Sequence, residues 1–379
     1  MRICYFADGR SVHTRRWMRY FAQNAHEMHL ISFADTSEEE VAELDRLGIK
    51  YHGSTGNFHV KKPWLTLRDL RFVRSVLKRE KIDILHSHFL GANAWFAAVS
   101  GFHPHILTIM GGGDVTGPDW KPDGNFQSKY LTPYTLRNAD HITSWSKLMA
   151  DVVRPFASET PIDVIHGGIH LERFGAGQKP KKLLERYGIP ADGRVIFSPR
   201  LMRPLSNIDQ IALSARIIAE RDADTYFLVA YPTAETDQAY CDKVRSIFED
   251  RRLSERVRYI QGVPHDEMAD HFRLADVTVS IPSTDGTPMT VLESMACGTP
   301  TVIGDLPDYD AEYFEDEKTT LMVDVKDPGS IASAIIRLLT DQELAERISN
   351  EARRRVEETG SYEFQMSKME AIYQSLIKK

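Results

Sequence analysis

The chain has 379 residues, of which 42% are hydrophobic and 27% are charged, and its formal net charge is -7. This length predicts two or three domains, each long enough to bury a core of its own. The composition is that of a globular protein, and the acidic balance argues against a general nucleic-acid binder.

The cysteines and the N-terminus both indicate a cytoplasmic protein. Cys4, Cys241 and Cys297 are scattered and form neither a metal-binding spacing nor a disulfide framework, which is typical of a reducing compartment. The first residues enter a strand-like run directly, and no stretch approaches the roughly 18 apolar residues that span a bilayer. We therefore expect the protein in the cytoplasm, touching a membrane only at its inner face.

The first half of the chain alternates strand-like and helix-like segments. Residues 2–7 predict a strand that ends in a loop containing Gly9, residues 12–25 predict a helix, and residues 29–33 predict the next strand. This βαβ order is typical of a parallel sheet covered by helices, so we expect an α/β fold. Further strands in this half are predicted at 83–89, 105–110 and 140–144.

Residues 61–81 predict an amphipathic helix with a cationic face. The segment has eight basic residues, opposed only by Asp69 and Glu80. The basic residues are Lys61, Lys62, Arg68, Arg71, Arg74, Lys78, Arg79 and Lys81. Such a helix could lie on the anionic headgroups of a membrane. A surface helix packed on the core explains its apolar stripe equally well, so both interpretations stay open.

The strand at 83–89 carries His86 and His88, which share one face because side chains alternate along a strand. No third ligand follows at a useful spacing, so a metal site is not expected there. We expect instead that one of the two histidines lines a ligand cleft. The strand at 105–110 is followed by three glycines, which let the backbone approach a ligand closely.

The segment from Ala275 to Gly304 has the strongest functional pattern. A buried strand at 277–281 is followed by a polar loop, and a helix is predicted from Thr287-Pro288 to about Gly298, with Thr287 as its N-cap. The start of such a helix attracts anions, because its unpaired N–H groups and its positive dipole end point out of the loop. Asp285 and Glu293 frame the loop, so their carboxylates could accept hydrogen bonds from a sugar and a ribose. The alternative is an ordinary βα unit whose helix happens to hold a glutamate.

This segment resembles the E-x7-E donor-binding motif of retaining GT-B glycosyltransferases of family 4. The matching residues are Gly286, Pro288, Leu292, Glu293, Met295, Ala296, Gly298 and Pro300. Asp285 stands where the family usually has a glutamate. Residues 164–177 resemble the family's interdomain segment, and residues 199–209 resemble its G-R-L-x-x-x-K-G-x-D element.

The resemblance implies two Rossmann-like, doubly wound domains that face each other across a cleft. Residues 1–168 would form the acceptor-side domain, and residues 169–361 would form the nucleotide-sugar domain. The C-terminal helix at 362–379 would cross back onto the first domain.

The resemblance also assigns roles to particular residues. Arg200, Asp114 and Asp285 are the expected catalytic residues, with Arg200 neutralising the departing diphosphate and Asp114 meeting a sugar hydroxyl or the acceptor, although Asp114 could instead only cap a turn. The expected donor-binding residues are Gly9, Arg203, Ser206, Asn207, Val263, Gly286, Thr287, Pro288, Met289, Thr290 and Glu293. Arg10, His13, Arg15 and Arg16 follow Gly9 closely and could meet an anionic acceptor, or Arg15 and Arg16 could merely solvate their helix.

The implied reaction is transfer of a hexosyl unit from a nucleotide-diphosphate sugar, with retention of the anomeric configuration. A UDP-sugar is favoured and a GDP-sugar is next, and the acceptor would be a hydroxyl of a glycan or a lipid-linked acceptor in surface-polysaccharide biosynthesis. No metal or other cofactor is expected, because Arg200 and backbone N–H groups would stabilise the leaving group. Asp308-Tyr309-Asp310 matches the sequence pattern of a metal-binding Asp-x-Asp motif. However, it follows the donor motif, so it is expected to be a surface loop.

Two other functions share these features. Nucleotide-sugar 2-epimerases have the same fold and bind the same donors, but they would consume the donor without an acceptor. A non-catalytic nucleotide-sugar sensor would bind the donor and leave it unchanged. The sequence does not identify the sugar, the base, the acceptor or the oligomeric state.

Overall fold

The computed structural model describes residues 1–56, 61–110, 120–122, 124, 126–157, 159–222, 224–231, 237–250, 253–307 and 309–378. The chain divides into two compact units. Unit 1 comprises Met1–Gly167 and Gln365–Lys379, and unit 2 comprises Gly168–Phe364. Within the described ranges, no helix combines the length and the apolar character that crossing a bilayer requires.

Unit 1 is built on a parallel sheet. Its strands are β1 (Arg2–Ala7), β2 (Glu27–Ser32), β3 (Ile49–Ser54), β4 (Ile84–His88), β5 (His105–Ile109), β6 (His141–Ser144) and β7 (Ile162–Val164). Its helices include α1 (Val12–Gln23), α2 (Glu38–Arg46), α3 (Pro63–Arg79), α4 (Ala92–Ser100), α5 (Phe126–Asn138) and α6 (Lys147–Ala157). The seven strands pair in the order β3-β2-β1-β4-β5-β6-β7, and every neighbouring pair is parallel. The predicted βαβ opening is confirmed.

Unit 2 repeats this design with a smaller sheet. Its strands are β8 (Arg194–Ser198), β9 (Thr225–Tyr231), β10 (Val257–Gln261), β11 (Val277–Ser280), β12 (Thr301–Gly304) and β13 (Leu321–Val323). Its helices include α7 (Lys181–Tyr187), α8 (Ile208–Arg221), α9 (Gln238–Phe248), α10 (Met268–Leu274), α11 (Met289–Ala296), α12 (Pro328–Thr340) and α13 (Gln342–Arg355). The strand order is β10-β9-β8-β11-β12-β13, again parallel throughout.

The central strands of unit 2 are buried on both faces, because helices cover both sides of the sheet. In β8, Val195 and Phe197 enter one apolar cluster, whereas Ile196 between them enters the other. This alternation follows from the two-residue period of a strand. It also explains why β8 contains a continuous apolar run and why all four residues of β11 are buried although Thr278 and Ser280 are polar.

The strand order reverses at β1 in unit 1 and at β8 in unit 2. In open parallel sheets, ligands bind outside the carboxyl ends of the strands at such a switch point. In unit 2 the switch lies between β9 and β11, which both neighbour β8. The loops that follow β8 and β11 are therefore the expected ligand-binding loops.

The last helix, α14 (Tyr362–Ile377), begins in unit 2, and its residues from Gln365 onward belong to unit 1. Its Tyr373 is fully buried. The Tyr373 hydroxyl lies 2.8 Å from the Tyr5 hydroxyl and 2.6 Å from Nδ1 of His86. These contacts tie the C-terminal helix to β1 and β4, the two central strands of unit 1.

Candidate active site

The loops after β8 and β11 are joined by hydrogen bonds. β8 and β11 are paired in parallel, with Val277 opposite Ile196, so both strands end at the same edge of the sheet. The backbone N–H of Ser283 donates to the carbonyl of Leu205 at 2.9 Å, and Nδ2 of Asn207 donates to the carbonyl of Ile281 at 2.8 Å. The two loops therefore hold each other in place.

Arg200 and Asp285 form an ion pair at this edge. Nε of Arg200 also donates to Oγ of Ser280 at 3.1 Å, and the N–H of Gly286 donates to the other carboxylate oxygen of Asp285 at 2.8 Å. Both side chains are partly exposed, Arg200 at 27% and Asp285 at 18%. A guanidinium has five N–H donors, so three N–H groups of Arg200 have no partner among the described residues and remain available to a ligand.

The start of α11 differs from the prediction. Thr287 was expected to be the N-cap, but Pro288 occupies that position and the helix begins at Met289. The reason is that the carbonyl of Pro288 is the first to accept from the helix, from the N–H groups of Val291 and Leu292. Thr287 therefore lies one residue too early to cap the helix with its side chain.

Two hydroxyl groups at this helix start are buried without a hydrogen bond. Oγ1 of Thr287 and Oγ1 of Thr290 have no partner among the described residues. Leaving a buried hydroxyl without a partner costs about 1–3 kcal/mol, so native proteins rarely do so without reason. A ligand with acceptor oxygens at the start of α11 would supply the missing partners.

Two further buried hydroxyls in unit 2 have the same property, Oγ of Ser198 at the end of β8 and the hydroxyl of Tyr309. Burial raises the pKa of Tyr309, and the negative charge of Asp285 raises it further. The positive charge of Arg200 lowers the pKa, so both members of the ion pair act electrostatically on this tyrosine. Tyr309 is only 7% exposed, so the predicted surface loop is wrong at this residue. Asp308 lies outside the described residues. The Asp-x-Asp pattern predicted a surface loop and did not indicate that Tyr309 is buried. No sequence signal pointed to Tyr309 or to Ser198.

Glu293 lies in the second turn of α11 and is 9% exposed. Its helix ends at Ala296, and Gly298 follows with a positive φ of 77°, so the predicted end near Gly298 is confirmed. A glycine suits that position because it adopts the left-handed conformation without strain.

The predicted site residues of the Arg203–Asn207 loop differ in their exposure and in their hydrogen bonds. Arg203 is exposed, and its guanidinium forms no ion pair with a described acid, whereas Ser206 is buried in a short 3-10 turn at Pro204–Ser206. Asn207 has a φ of 52°, and both of its Nδ2 hydrogen bonds go to the protein, to Ile281 and to Oγ of Ser283. The amide of Asn207 therefore helps to hold the loop, and its expected contact with the donor stays a prediction. Val263 is half-buried just after β10.

Two of the predicted site residues, Gly9 and Asp114, belong to unit 1. Asp114 and the glycines before it lie outside the described residues. The N–H of Gly9 donates to Oγ of Ser32 at 3.3 Å, and a Cβ atom on Gly9 would lie 3.0 Å from Oγ1 of Thr36. The glycine at this position is therefore explained by close packing, and its N–H group is used by the fold.

The basic residues behind Gly9 have acidic partners. Arg10 forms a two-pronged pair with Asp8, at 2.9 and 3.0 Å, and this contact helps to hold the pKa of Asp8 below its usual value despite partial burial. Arg15 lies 3.9 Å from Glu40 and 3.7 Å from Glu43. The charges of Arg10 and Arg15 are therefore largely balanced within unit 1.

The expectation that His86 or His88 lines a cleft is wrong, because both are fully buried in unit 1. Both ring nitrogens of His86 are hydrogen-bonded, Nδ1 to Tyr373 and Nε2 to Oγ1 of Thr108 at 2.5 Å. Burial lowers the pKa of His86 well below its ordinary value and that of His88 to about 3. These histidines are neutral parts of the core.

Among the described residues, His29, His52 and Glu80 form a group with metal-ligand atoms close together. However, Nδ1 of His29 lies 2.9 Å from Nε2 of His52, and the two rings are parallel to within 5°. That is the geometry of a hydrogen bond between two imidazoles. Arg79 occupies the far side, 3.3 Å from Nδ1 of His52, which disfavours a cation there.

Comparison with known proteins identifies the family. The model described as "Glycosyltransferase Family 4" matches residues 7–173, and the model described as "Glycosyl transferases group 1" matches residues 181–355. This chain belongs to glycosyltransferase family 4. Its two parallel sheets with alternating helices form the GT-B fold of that family, as the sequence predicted.

Curated relatives are distant. N-acetyl-alpha-D-glucosaminyl L-malate synthase of Bacillus anthracis is 24% identical over 315 residues, which cover 80% of this chain and 77% of the relative. D-inositol 3-phosphate glycosyltransferase of Mycobacterium bovis is 28% identical over 290 residues, which cover 71% of this chain and 57% of the relative. The match therefore spans little more than half of the mycobacterial protein.

Solved structures share the fold over the whole chain. A glycosyltransferase from Rickettsia africae superposes with a TM-score of 0.83 at 18% identity and covers 100% of this chain and 99% of its own. The HepE protein of Anabaena, solved in complex with UDP and glucose, superposes with a TM-score of 0.73 at 14% identity, covering 99% of this chain and all of its own. This family 4 protein is a glycosyltransferase.

Proposed function

We propose that this glycosyltransferase moves a hexosyl unit from a nucleotide-diphosphate sugar to a hydroxyl group of a glycan or lipid-linked acceptor, with retention of configuration. The observation that carries the proposal is the pair of unpartnered hydroxyls of Thr287 and Thr290, next to the ion pair of Arg200 and Asp285. The proposed setting is surface-polysaccharide biosynthesis in the cytoplasm, at the inner face of the cell membrane.

A diphosphate satisfies the groups that the protein leaves open. Its oxygens accept hydrogen bonds, so they suit the two threonine hydroxyls, the free N–H groups at the start of α11 and the unused N–H groups of Arg200. The planar guanidinium and the positive helix end both favour phosphate oxygens. In the proposed complex, Gly286, Pro288 and Met289 bring the backbone close to the diphosphate.

The carboxylates hold the sugar and the nucleoside in this proposal. Asp285 uses one oxygen for Arg200 and the other for Gly286, and each oxygen retains a lone pair for a sugar hydroxyl. Glu293 accepts from a hydroxyl of the ribose or the sugar, and Val263 meets the base. UDP is the favoured nucleotide because HepE was solved with UDP and with UDP-glucose, and GDP is next.

The proposed chemical step is front-face displacement. The bond between the anomeric carbon and the diphosphate oxygen breaks, and its electron pair goes to the diphosphate. The acceptor oxygen bonds to the same face of the carbon, and its proton goes to a departing phosphate oxygen. Arg200 stabilises the charge that develops on the diphosphate, and Asp114 is the proposed partner of the sugar or acceptor hydroxyl.

We propose that transfer needs no metal, because Arg200 and the helix start already provide positive charge where the leaving group forms. Addition of EDTA should leave the rate unchanged. A rate that collapses in EDTA and returns with manganese would contradict this part of the proposal.

A panel of UDP-, GDP- and ADP-sugars, screened by thermal shift, tests the donor. We expect the largest stabilisation from a UDP-sugar, because a ligand that binds only the folded state raises the unfolding temperature. NMR of the reaction with that donor and a glycan acceptor should then show a product with the donor's anomeric configuration. Conversion of the donor without an acceptor would indicate a 2-epimerase, and binding without any conversion would indicate a sensor.

A further inference from the structure

The outward face of α3 carries exposed apolar side chains that core packing does not explain. The inward face buries Leu70, Val73 and Leu77, as a helix packed on a sheet should. On the opposite face, Trp64 is 63% exposed and Leu67 is 50% exposed. Large apolar side chains that remain in water beside a cationic surface suggest an interaction site.

The basic residues of α3 continue the same face. Arg71, Arg74 and Lys78 are exposed, and they follow Trp64 and Leu67 at the spacing of one helical stripe. Some of the basic residues are already engaged, since Arg74 donates to the carbonyls of Ser100 and Val99 at the end of α4.

Other basic side chains of this surface form no ion pair with the described residues. Lys62, Arg71 and Lys78 form no ion pair with any residue that the structure describes. The acidic residues of the segment are engaged locally, since Asp69 pairs with Arg68 and Glu80 pairs with Arg79. The surface therefore offers uncompensated positive charge.

A shallow groove adjoins the C-terminal half of α3. It has a volume of about 420 Å³, an apolar floor that includes Leu77, Ile82 and Phe102, and a rim that includes Lys78 and Lys81. An apolar floor with a cationic rim complements an amphiphile whose polar end is anionic.

We propose that the outward face of α3 docks this glycosyltransferase on an anionic phospholipid membrane. Trp64 and Leu67 enter the interfacial region, and Lys62, Arg71 and Lys78 meet the headgroups. Tryptophan favours that region because its ring is apolar and its N–H is polar. The positive face is attracted to an anionic membrane although the whole protein has a net charge of -7, so docking also orients the molecule. A nucleic acid would use the charges but would leave Leu67 without a role.

Sedimentation with vesicles tests the charge contribution. The full chain should bind vesicles of phosphatidylglycerol mixed with phosphatidylcholine, and binding to pure phosphatidylcholine should be much weaker. The variant Lys62→Gln/Arg71→Gln/Lys78→Gln should bind the anionic vesicles about 100-fold more weakly, since each basic residue contributes roughly fivefold. The control Lys181→Gln/Lys182→Gln/Lys326→Gln loses the same charge from exposed positions of unit 2 and should bind like the wild type.

Tryptophan fluorescence tests the apolar contribution. Trp64 is the most exposed tryptophan, because Trp17, Trp95 and Trp145 are buried and Trp120 is half-buried. Vesicles that contain brominated anionic lipid should therefore quench the wild type mainly through Trp64. The variant Trp64→Phe should still sediment with the vesicles but lose most of this quenching.

Exposed aromatic side chains on α5 form an alternative surface that could contact the membrane instead of α3. Phe126 and Tyr130 on α5 are 62% and 55% exposed. Loss of vesicle binding in Phe126→Ala/Tyr130→Ala, with full binding in the α3 triple variant, would overturn the proposal. Equal binding of wild type and the α3 variant to anionic vesicles would do the same. Transfer to a water-soluble acceptor should be unchanged in the α3 variant, so this test is independent of the proposed reaction.

Discussion

Each unit of this glycosyltransferase buries a group of polar side chains near its central strands, and the two groups differ in how their hydrogen bonds are satisfied. In unit 1, His86, Tyr373 and Tyr5 form a buried hydrogen-bonded chain. In unit 2, the hydroxyls of Thr287 and Thr290 are buried and have no partner among the described residues. The contrast teaches that burial of a polar group does not mark a ligand site. We propose that the ligand site of unit 2 is marked by three features together: buried hydroxyls without partners, the start of a helix, and the Arg200–Asp285 ion pair beside it.

The comparison predicts that changes in unit 2 alter ligand binding and catalysis, whereas changes in the unit 1 network alter stability. The expected effects below run from the largest to the smallest.

Arg200→Ala should lower transfer by about 10²- to 10³-fold, because it removes the charged donor that stabilises the leaving diphosphate. Steady-state kinetics would measure the loss, and circular dichroism would check that the fold is intact. Arg200→Lys should recover only part of the rate, since an ammonium lacks the planar fork. Arg203→Ala, on the same loop but exposed, should lose less. Full activity of Arg200→Ala would remove the arginine from the mechanism.

Acid should destabilise unit 1. Burial lowers the pKa of His105 from 6.5 to about 4 and that of His88 to about 3. The folded pKa lies below the unfolded one, so the unfolded state binds more protons in this window, and stability falls as the pH drops from 6.5 toward 4. His105 alone should remove on the order of 3 kcal/mol.

Urea unfolding at several pH values would measure this effect. All five tryptophans lie in unit 1, so their fluorescence follows that unit. The midpoint should fall across the window for the wild type and fall less for His105→Asn. A midpoint that stays constant between pH 6.5 and 4 would show that the buried histidines do not resist protonation as their burial implies.

Thr287→Val/Thr290→Val should weaken binding of UDP by about 10- to 100-fold, because it removes two hydrogen bonds and each contributes about 0.5–1.5 kcal/mol net. The same variant should be as stable as the wild type or slightly more stable without ligand, since it removes two buried hydroxyls that lack partners. Calorimetric titration and thermal unfolding would measure both quantities. Reduced stability without any change in affinity would indicate a structural role.

Two tyrosines provide a matched pair, because the same hydroxyl is deleted in each unit. Tyr373→Phe leaves Nδ1 of His86 and the hydroxyl of Tyr5 without their partner, so the free energy of unfolding should fall by about 1–2 kcal/mol. Tyr309→Phe deletes a buried hydroxyl that has no partner, so the free energy of unfolding should stay the same or rise, because the cost of burying that hydroxyl is removed. Equal losses in the two variants would break the comparison between the units.

The regular elements could be predicted because their signals are local. The apolar strand at 277–281, the polar loop after it and Gly298 at the helix end each follow from a few consecutive residues. The βαβ repeat then selects a parallel sheet, and the strand ends bring Arg200 near Asp285. The N-cap was misplaced by one residue because the choice between Thr287 and Pro288 depends on which carbonyl first accepts a helical hydrogen bond.

Other features could not be predicted because they depend on distant parts of the chain. His86 is buried beneath Tyr373, which lies 287 positions later in sequence, and no local pattern announces that contact. Tyr309 belongs to an acidic segment that suggests a surface loop, yet the fold buries its ring and leaves its hydroxyl unpaired. Tertiary packing, rather than local pattern, decides which polar residues are satisfied.

A crystal of the full chain soaked with UDP would test the central claim most directly. The account predicts that the diphosphate lies at the start of α11, within hydrogen-bond distance of Arg200 and of the hydroxyls of Thr287 and Thr290. A diphosphate bound away from these three side chains, with their contacts unchanged from the free protein, would contradict it.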